Sequence, residues 1–357
     1  MPYWVQIMGA MILAISPVMG WMIYQKKKNP RKKVNYGLLI FILALSIFPV
    51  VKAMPQGAQI IGSIAMASIP AVVWGVIFYK KNPEKKNLTA ITFFVGALAV
   101  FPILLYKFLW QFFPWINAFR IADFYKNDLI GVSNLMWIPL SVIITFMIVG
   151  IIEELMKLLS VKLVDDDEIK SIDDSIEFFI IAALGFAFTE NILYFYNIWI
   201  TQGSQNLFLP FVFRSSFSTF AHLIFSGILG YYYGVAHFAK PILQDEIKQN
   251  RHKWIVKLHK MFNLKKSRLF HEEKMLEGVL IAVGLHAIFN IFLEMNMTFL
   301  IVPFLVAGYM AINYLFAQKE NHKQYGKMYV YTRNHPHPKS NVHFKRSAVK
   351  SKQHLVT

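Results

Sequence analysis

The stretch Ile151-Ile152-Glu153-Glu154-Leu155-Met156-Lys157 sets two adjacent carboxylates and a lysine inside a segment that otherwise reads as a membrane span. An ionisable side chain at bilayer depth costs at least ~2.5–3.5 kcal/mol, so a group of them implies a protein interior and mutual pairing. On a helix Lys157 stands i,i+4 from Glu153 and i,i+3 from Glu154, and it reaches either acid on one face. Three later apolar segments carry comparable intruders: Glu190, His222, and His286 with Asn290. The last pair is also i,i+4, which suits two side chains turned toward one cavity.

Around that stretch the composition is that of a polytopic membrane protein. Of 357 residues, 56% are hydrophobic and only 16% charged, too few charges for a soluble domain of this size. Apolar runs of about 20 residues recur, each long enough to cross a hydrocarbon core of ~30 Å. The expected fold is all-α, a helical bundle of about nine spans near residues 3–24, 35–51, 58–79, 88–109, 135–164, 176–199, 211–237, 276–294 and 298–317. The net charge of +17 sits in short loops and the tail, as in Lys26-Lys27-Lys28-Asn29-Pro30-Arg31-Lys32-Lys33. That placement marks cytoplasmic loops and contact with anionic lipid headgroups, and it excludes a nucleic-acid reading. Alternation then puts the N-terminus outside and the C-terminus inside, with all strongly basic loops on one side. The absence of cysteine excludes disulfides and thiolate metal sites.

The chain divides into an N-terminal membrane region (1–134), a core bearing the polar intruders (135–317), and a basic tail (318–357) expected to be disordered. Residues 114–134 read as an external loop with a short surface helix. The run Asp165-Asp166-Asp167-Glu168 lacks the spacing of a calcium loop and reads as solvated. Arg214 lies near the outer end of its span, where a guanidinium can snorkel to water. Tyr231, Tyr232, Tyr233 and His237 read as interfacial, and His335-Pro336-His337-Pro338 as flexible tail.

Helix rise estimates depth. Glu154 lies roughly 15 Å in from Val164, Glu190 roughly 21 Å from Ile176, His222 roughly 22 Å from His237, and His286 roughly 15 Å from Met275. Polar groups from four helices therefore meet at one level, and Glu153, Glu154, Lys157, Glu190, His222, His286 and Asn290 form one candidate site.

In order and spacing, Glu153-Glu154-x-x-Lys157, Phe186-x-x-x-Glu190, His222 and His286-x-x-x-Asn290 resemble the PrsW family of intramembrane proteases, over about residues 150–295. They are more distantly similar to the CaaX-processing endopeptidases and the bacteriocin-immunity membrane proteins. The CaaX branch usually has histidine where this chain has Glu190. The resemblance implies a protease of a bacterial cytoplasmic membrane that cuts a membrane-anchored protein substrate, for PrsW an anti-sigma factor at the head of a stress-signalling cascade.

Peptide hydrolysis needs a base for water, a group for the oxyanion and a proton for the leaving amine. Glu154 or Glu153 is the candidate base, with Lys157 holding the other acid. Two mechanisms stay open. In one, His222, His286 and Glu190 bind a zinc ion, leaving an open position; in the other, glutamate and histidine act without metal and Asn290 supplies the oxyanion donor. A proton-coupled transporter, or a non-catalytic immunity or scaffold protein, is the reading from another class, since intramembrane Glu and His also build relays.

Overall fold

The computed structural model describes residues 56–81, 86–113, 129–133, 136–248 and 264–320, with a few positions between 252 and 261. The expected spans at 3–24 and 35–51, and the tail beyond 320, lie outside the described residues. The described chain is essentially all helix: α1 (Gly57–Lys81), α2 (Lys86–Leu98), α3 (Phe101–Phe112), α4 (Leu140–Val164), α5 (Ile172–Gln202), α6 (Phe208–Phe213), α7 (Thr219–His237), α8 (Ala239–Lys248), α9 (Lys266–Glu294) and α10 (Ile301–Glu320). Among the described residues, six segments are long and apolar enough to cross a membrane: Gly57–Phe78, Asn87–Leu105, Ile172–Gln202, Ser204–His237, Lys266–Glu294 and Thr298–Ala317. Helix α4, 25 residues long, matches them in length and differs in carrying Glu153, Glu154 and Lys157.

Three local departures from expectation have physical causes. The loop expected at 114–134 contributes a strand, β1 (Leu129–Ser133), antiparallel to β2 (Met136–Pro139), with Leu129 opposite Pro139 and Ile130 opposite Ile138. Helix α4 therefore starts at Leu140 rather than near 135. Pro139, extended at ψ 131°, has no N–H to give a helix and marks the boundary. The span expected at 88–109 is interrupted at Ala99-Val100, where Pro102 opens a new first turn. The acidic run after α4 is not simply solvated. Asp165 is fully buried and receives the Thr92 hydroxyl of α2, at 2.8 and 2.9 Å to its two oxygens, while Tyr233 of α7 donates to Asp166 at 2.6 Å.

Helix α5 is the centre of the bundle, with α1, α2, α4 and α7 packed around it, and α9 closes the far side against α4 and α7. Its start is fixed by Ser171, whose Oγ accepts from the Asp174 N–H at 3.1 Å while the Asp174 carboxylate accepts from the Lys170 N–H at 3.0 Å. The Ser171 cap satisfies one donor that the first turn leaves open, and the Asp174 carboxylate ties down the residue that precedes the cap. At the C-terminal end of α9 the chain reverses through Asn296 at φ 55°, a left-handed position that asparagine tolerates.

Helices α2 and α5 touch backbone to backbone. A Cβ on Gly185 would strike the Phe93 carbonyl, and one on Gly96 would strike that of Ala182. Without water to drive burial, such close approach supplies the van der Waals contact that holds membrane helices together. Gly185→Leu is expected to lower stability by about 1–3 kcal/mol through overpacking, read as a lower melting temperature in detergent. Gly284→Ala, where nothing lies within 4 Å, should leave it unchanged.

Candidate active site

Lys157 and Glu154 are both completely buried and joined at 2.7 Å. Around this pair the other helices close. Glu154 Oε1 also receives His286 Nδ1 of α9 at 2.9 Å, and Oε2 receives the Ser226 hydroxyl of α7 at 3.3 Å. Lys157 Nζ reaches His222 Nδ1 of α7 at 3.0 Å and lies 4.7 Å from the centre of the Phe186 ring of α5. His222 Nε2 meets Glu190 Oε2 of α5 at 2.9 Å.

These partners fix the imidazole protons. A lysine amine only donates, so His222 Nδ1 accepts and its proton sits on Nε2, donated to Glu190. A carboxylate only accepts, so His286 carries its proton on Nδ1, donated to Glu154. Each histidine is thus held by a carboxylate through one nitrogen and turns the other inward, the arrangement that orients metal-bound histidines in general. His286 Nε2 faces Glu153 Oε2 at 3.5 Å.

The donor set fits a metal. One ligand atom from each of Glu153, His222 and His286 lies within 4.8 Å of the other two. Glu153 Oε2 is buried and takes no hydrogen bond, leaving a desolvated acceptor beside two imidazoles that a cation would satisfy. Metal binding at His222 requires Lys157 to give up Nδ1, and the bond to Glu154 retains the lysine. The acid placed to join both imidazoles at a metal is Glu153, where Glu190 was expected. Glu190 lies on the other side of His222, paired with Arg214 at 2.9 Å, and at 32% side-chain exposure it is the most open acid of the group.

The seven residues singled out in the sequence fall into this picture unequally. Six are joined by the contacts above. Asn290 sits one turn from His286, half-buried, with no side-chain hydrogen bond among the described residues. Arg214 was expected at the interface and is instead turned inward, 8% exposed. Its Nε donates to Asn191 Oδ1 at 2.6 Å and its guanidinium covers the Tyr194 ring at 4.4 Å. The available signal was electrostatic: Glu190 needed a cation, and Arg214 is the sole arginine between Arg120 and Arg251.

Carboxylates, imidazoles and a buried lysine are thus gathered into one polar site inside a bundle of apolar helices. The chain matches, over residues 84–316, a family model described as PrsW family intramembrane metalloprotease, and it belongs to that family. It is therefore a membrane peptidase. The match covers more of the chain than the motifs alone and includes α2, the helix tied to the site through Thr92 and Gly96. No curated protein and no solved structure matches the chain.

Removing Lys157 leaves Glu154 charged and uncompensated in the interior. Lys157→Met should cost about 3–5 kcal/mol of stability, and Lys157→Met combined with Glu154→Gln should recover part of it, as thermal unfolding in detergent would measure.

Proposed function

We propose that the protein hydrolyses a peptide bond of a membrane-anchored protein, with Glu153, His222 and His286 holding one zinc ion. The observation that carries the metal set is the buried, unpartnered Glu153 oxygen beside two imidazoles whose outer nitrogens are already held by Glu154 and Glu190. Mixed nitrogen and oxygen donors with an open position are the pattern of catalytic zinc. When bound, the ion polarises the scissile carbonyl and makes water a stronger acid.

The protein's own groups supply the rest. Glu154 has both oxygens engaged, which makes it the anchor of His286 rather than the base. Glu190 receives Arg214 and His222 on Oε2 alone. Its Oε1, without a partner among the described residues, accepts a proton from water as the hydroxide oxygen attacks the carbonyl carbon. Asn290 donates from its side-chain amide to the carbonyl oxygen as it becomes negative. Glu190 then returns the proton to the departing amine nitrogen as the C–N bond breaks, leaving a free carboxyl and a free amine. Lys157 offsets the charge of Glu154.

The substrate class is a membrane-anchored regulator, an anti-sigma factor in a bacterial stress cascade, on the strength of family membership. In membranes containing the protein and such a client, Glu190→Gln and His222→Ala should each reduce cleavage at least 10²-fold at normal protein level. Purified protein should carry about one zinc per chain, lost in His286→Ala and in Glu153→Gln. Undiminished cleavage by metal-free protein would sink the metal assignment.

Nine spans with the N-terminus outside and the C-terminus in the cytoplasm complete the proposal, supported by the basic loops. In this cysteine-free chain, single cysteines replacing Pro30, Pro83, Lys170 or Lys260 should all resist an impermeant thiol reagent applied to intact cells. Labelling at 83 or 170 reverses the orientation.

A further inference from the structure

Between α6 and α7 the chain makes one π-helical turn, Arg214–Ser218. The Thr219 N–H bonds the Arg214 carbonyl across five residues, and the Thr219 hydroxyl reaches the same carbonyl at 2.9 Å. Such a turn absorbs one extra residue, and it changes which side chains share a face. On an unbroken α-helix, residues eight apart are out of register by about 80° at ~100° per residue. With one residue absorbed, Arg214 and His222 come within about 20° of each other. The bulge therefore turns Arg214 to the side of the helix that carries His222.

Once there, the guanidinium is gripped on two sides. Nε donates to Asn191 Oδ1 at 2.6 Å, and the amide nitrogen of Asn191 donates back to Thr219 Oγ1 at 3.2 Å, so the side chain is tied to the turn that presents it. A terminal nitrogen stands 2.9 Å from Glu190 Oε2, the same oxygen that receives His222 Nε2. Asn191 and Thr219 are almost wholly buried. An exposed ion pair of this kind would contribute little. Here Asn191 holds one edge of the planar guanidinium, which sets where its charge stands beside the single Glu190 oxygen.

We propose that Arg214 is a positioning residue for hydrolysis: presented by the π turn and locked by Asn191, it holds Glu190 on one oxygen, keeping Oε1 open for the water proton and His222 fixed through Nε2. This deepens the proposed function and rests on it, because it gives Arg214 a task only if Glu190 and His222 act as described. Arg214 itself touches neither substrate nor metal.

The test is a double-mutant cycle on full-length protein, with Arg214→Gln, Glu190→Gln and both together. Client cleavage gives kcat and KM, and competition with a chelator gives zinc affinity without reference to turnover. Arg214→Gln should lower kcat and zinc affinity, each by about 10–100-fold, the range for groups that orient a metal-bound histidine. KM should stay within about twofold, because the lost interaction does not bind substrate. With Glu190 already replaced, removing Arg214 should change neither quantity further, because its effect passes through that carboxylate. Wild-type kcat and zinc affinity in Arg214→Gln would overturn the proposal, as would a double variant well below Glu190→Gln alone. If Arg214→Gln fails to accumulate, comparing the double variant with Glu190→Gln decides, since no unpaired acid is left there. A wild-type protein that binds zinc and cuts no client would remove the proposed function, and the zinc cycle would still decide whether Arg214 acts through Glu190.

Discussion

The structure depends on one constraint: an apolar interior cannot leave a charge alone. Glu154 and Lys157 are completely buried and adjacent on one helix face, and their remaining hydrogen-bonding capacity has to be met by other helices. Glu154 draws in His286 and Ser226, and Lys157 draws in His222. Pairs of this kind contribute little net stability against a well-packed apolar alternative. Their effect is on arrangement, because few placements of α4, α7 and α9 satisfy all the donors and acceptors together.

The scaffold serves that arrangement by fixing height and separation. Buried Asp165 bonded to Thr92 ties the end of α4 to α2, and Asp166 bonded to Tyr233 ties it to α7. Eleven and twelve residues back from Asp165 along α4, the glutamate pair inherits its depth from those anchors. The Gly96 and Gly185 contacts bring α2 onto α5, the helix carrying Glu190. Ser175 of α5 donates to the Gly230 carbonyl of α7 at 2.7 Å, so Glu190 and His222 sit on helices joined by a buried bond as well as by packing.

Within the site, three carboxylates of the same chemistry have three environments. Glu154 is saturated by donors, Glu153 keeps one buried oxygen as an empty acceptor, and Glu190 is partly open and paired on one oxygen. Divergent surroundings are how one residue type takes different tasks in one site. Adjacent Glu153 and Glu154 separate because successive residues on a helix point about 100° apart, one toward the lysine and one toward the space between the imidazoles.

The sequence by itself determined the helical class, the succession of long apolar segments between Gly57 and Ala317, the reversal at Asn296 and most of the polar side chains that meet between the helices. Apolar run length and the cost of intramembrane charge are local properties, readable without knowing what packs where. It also showed that Glu153, Glu154 and Lys157 share a helix with two pairings open to the lysine. Only the tertiary structure decided between those pairings, because the choice rests on what α7 and α9 bring to Glu154. It likewise decided that Arg214 faces inward, since one absorbed residue in a helix redirects a side chain while leaving the hydrophobic pattern almost unchanged. The same holds for Asp165, polar by type and buried because Thr92, 73 positions away, meets it there.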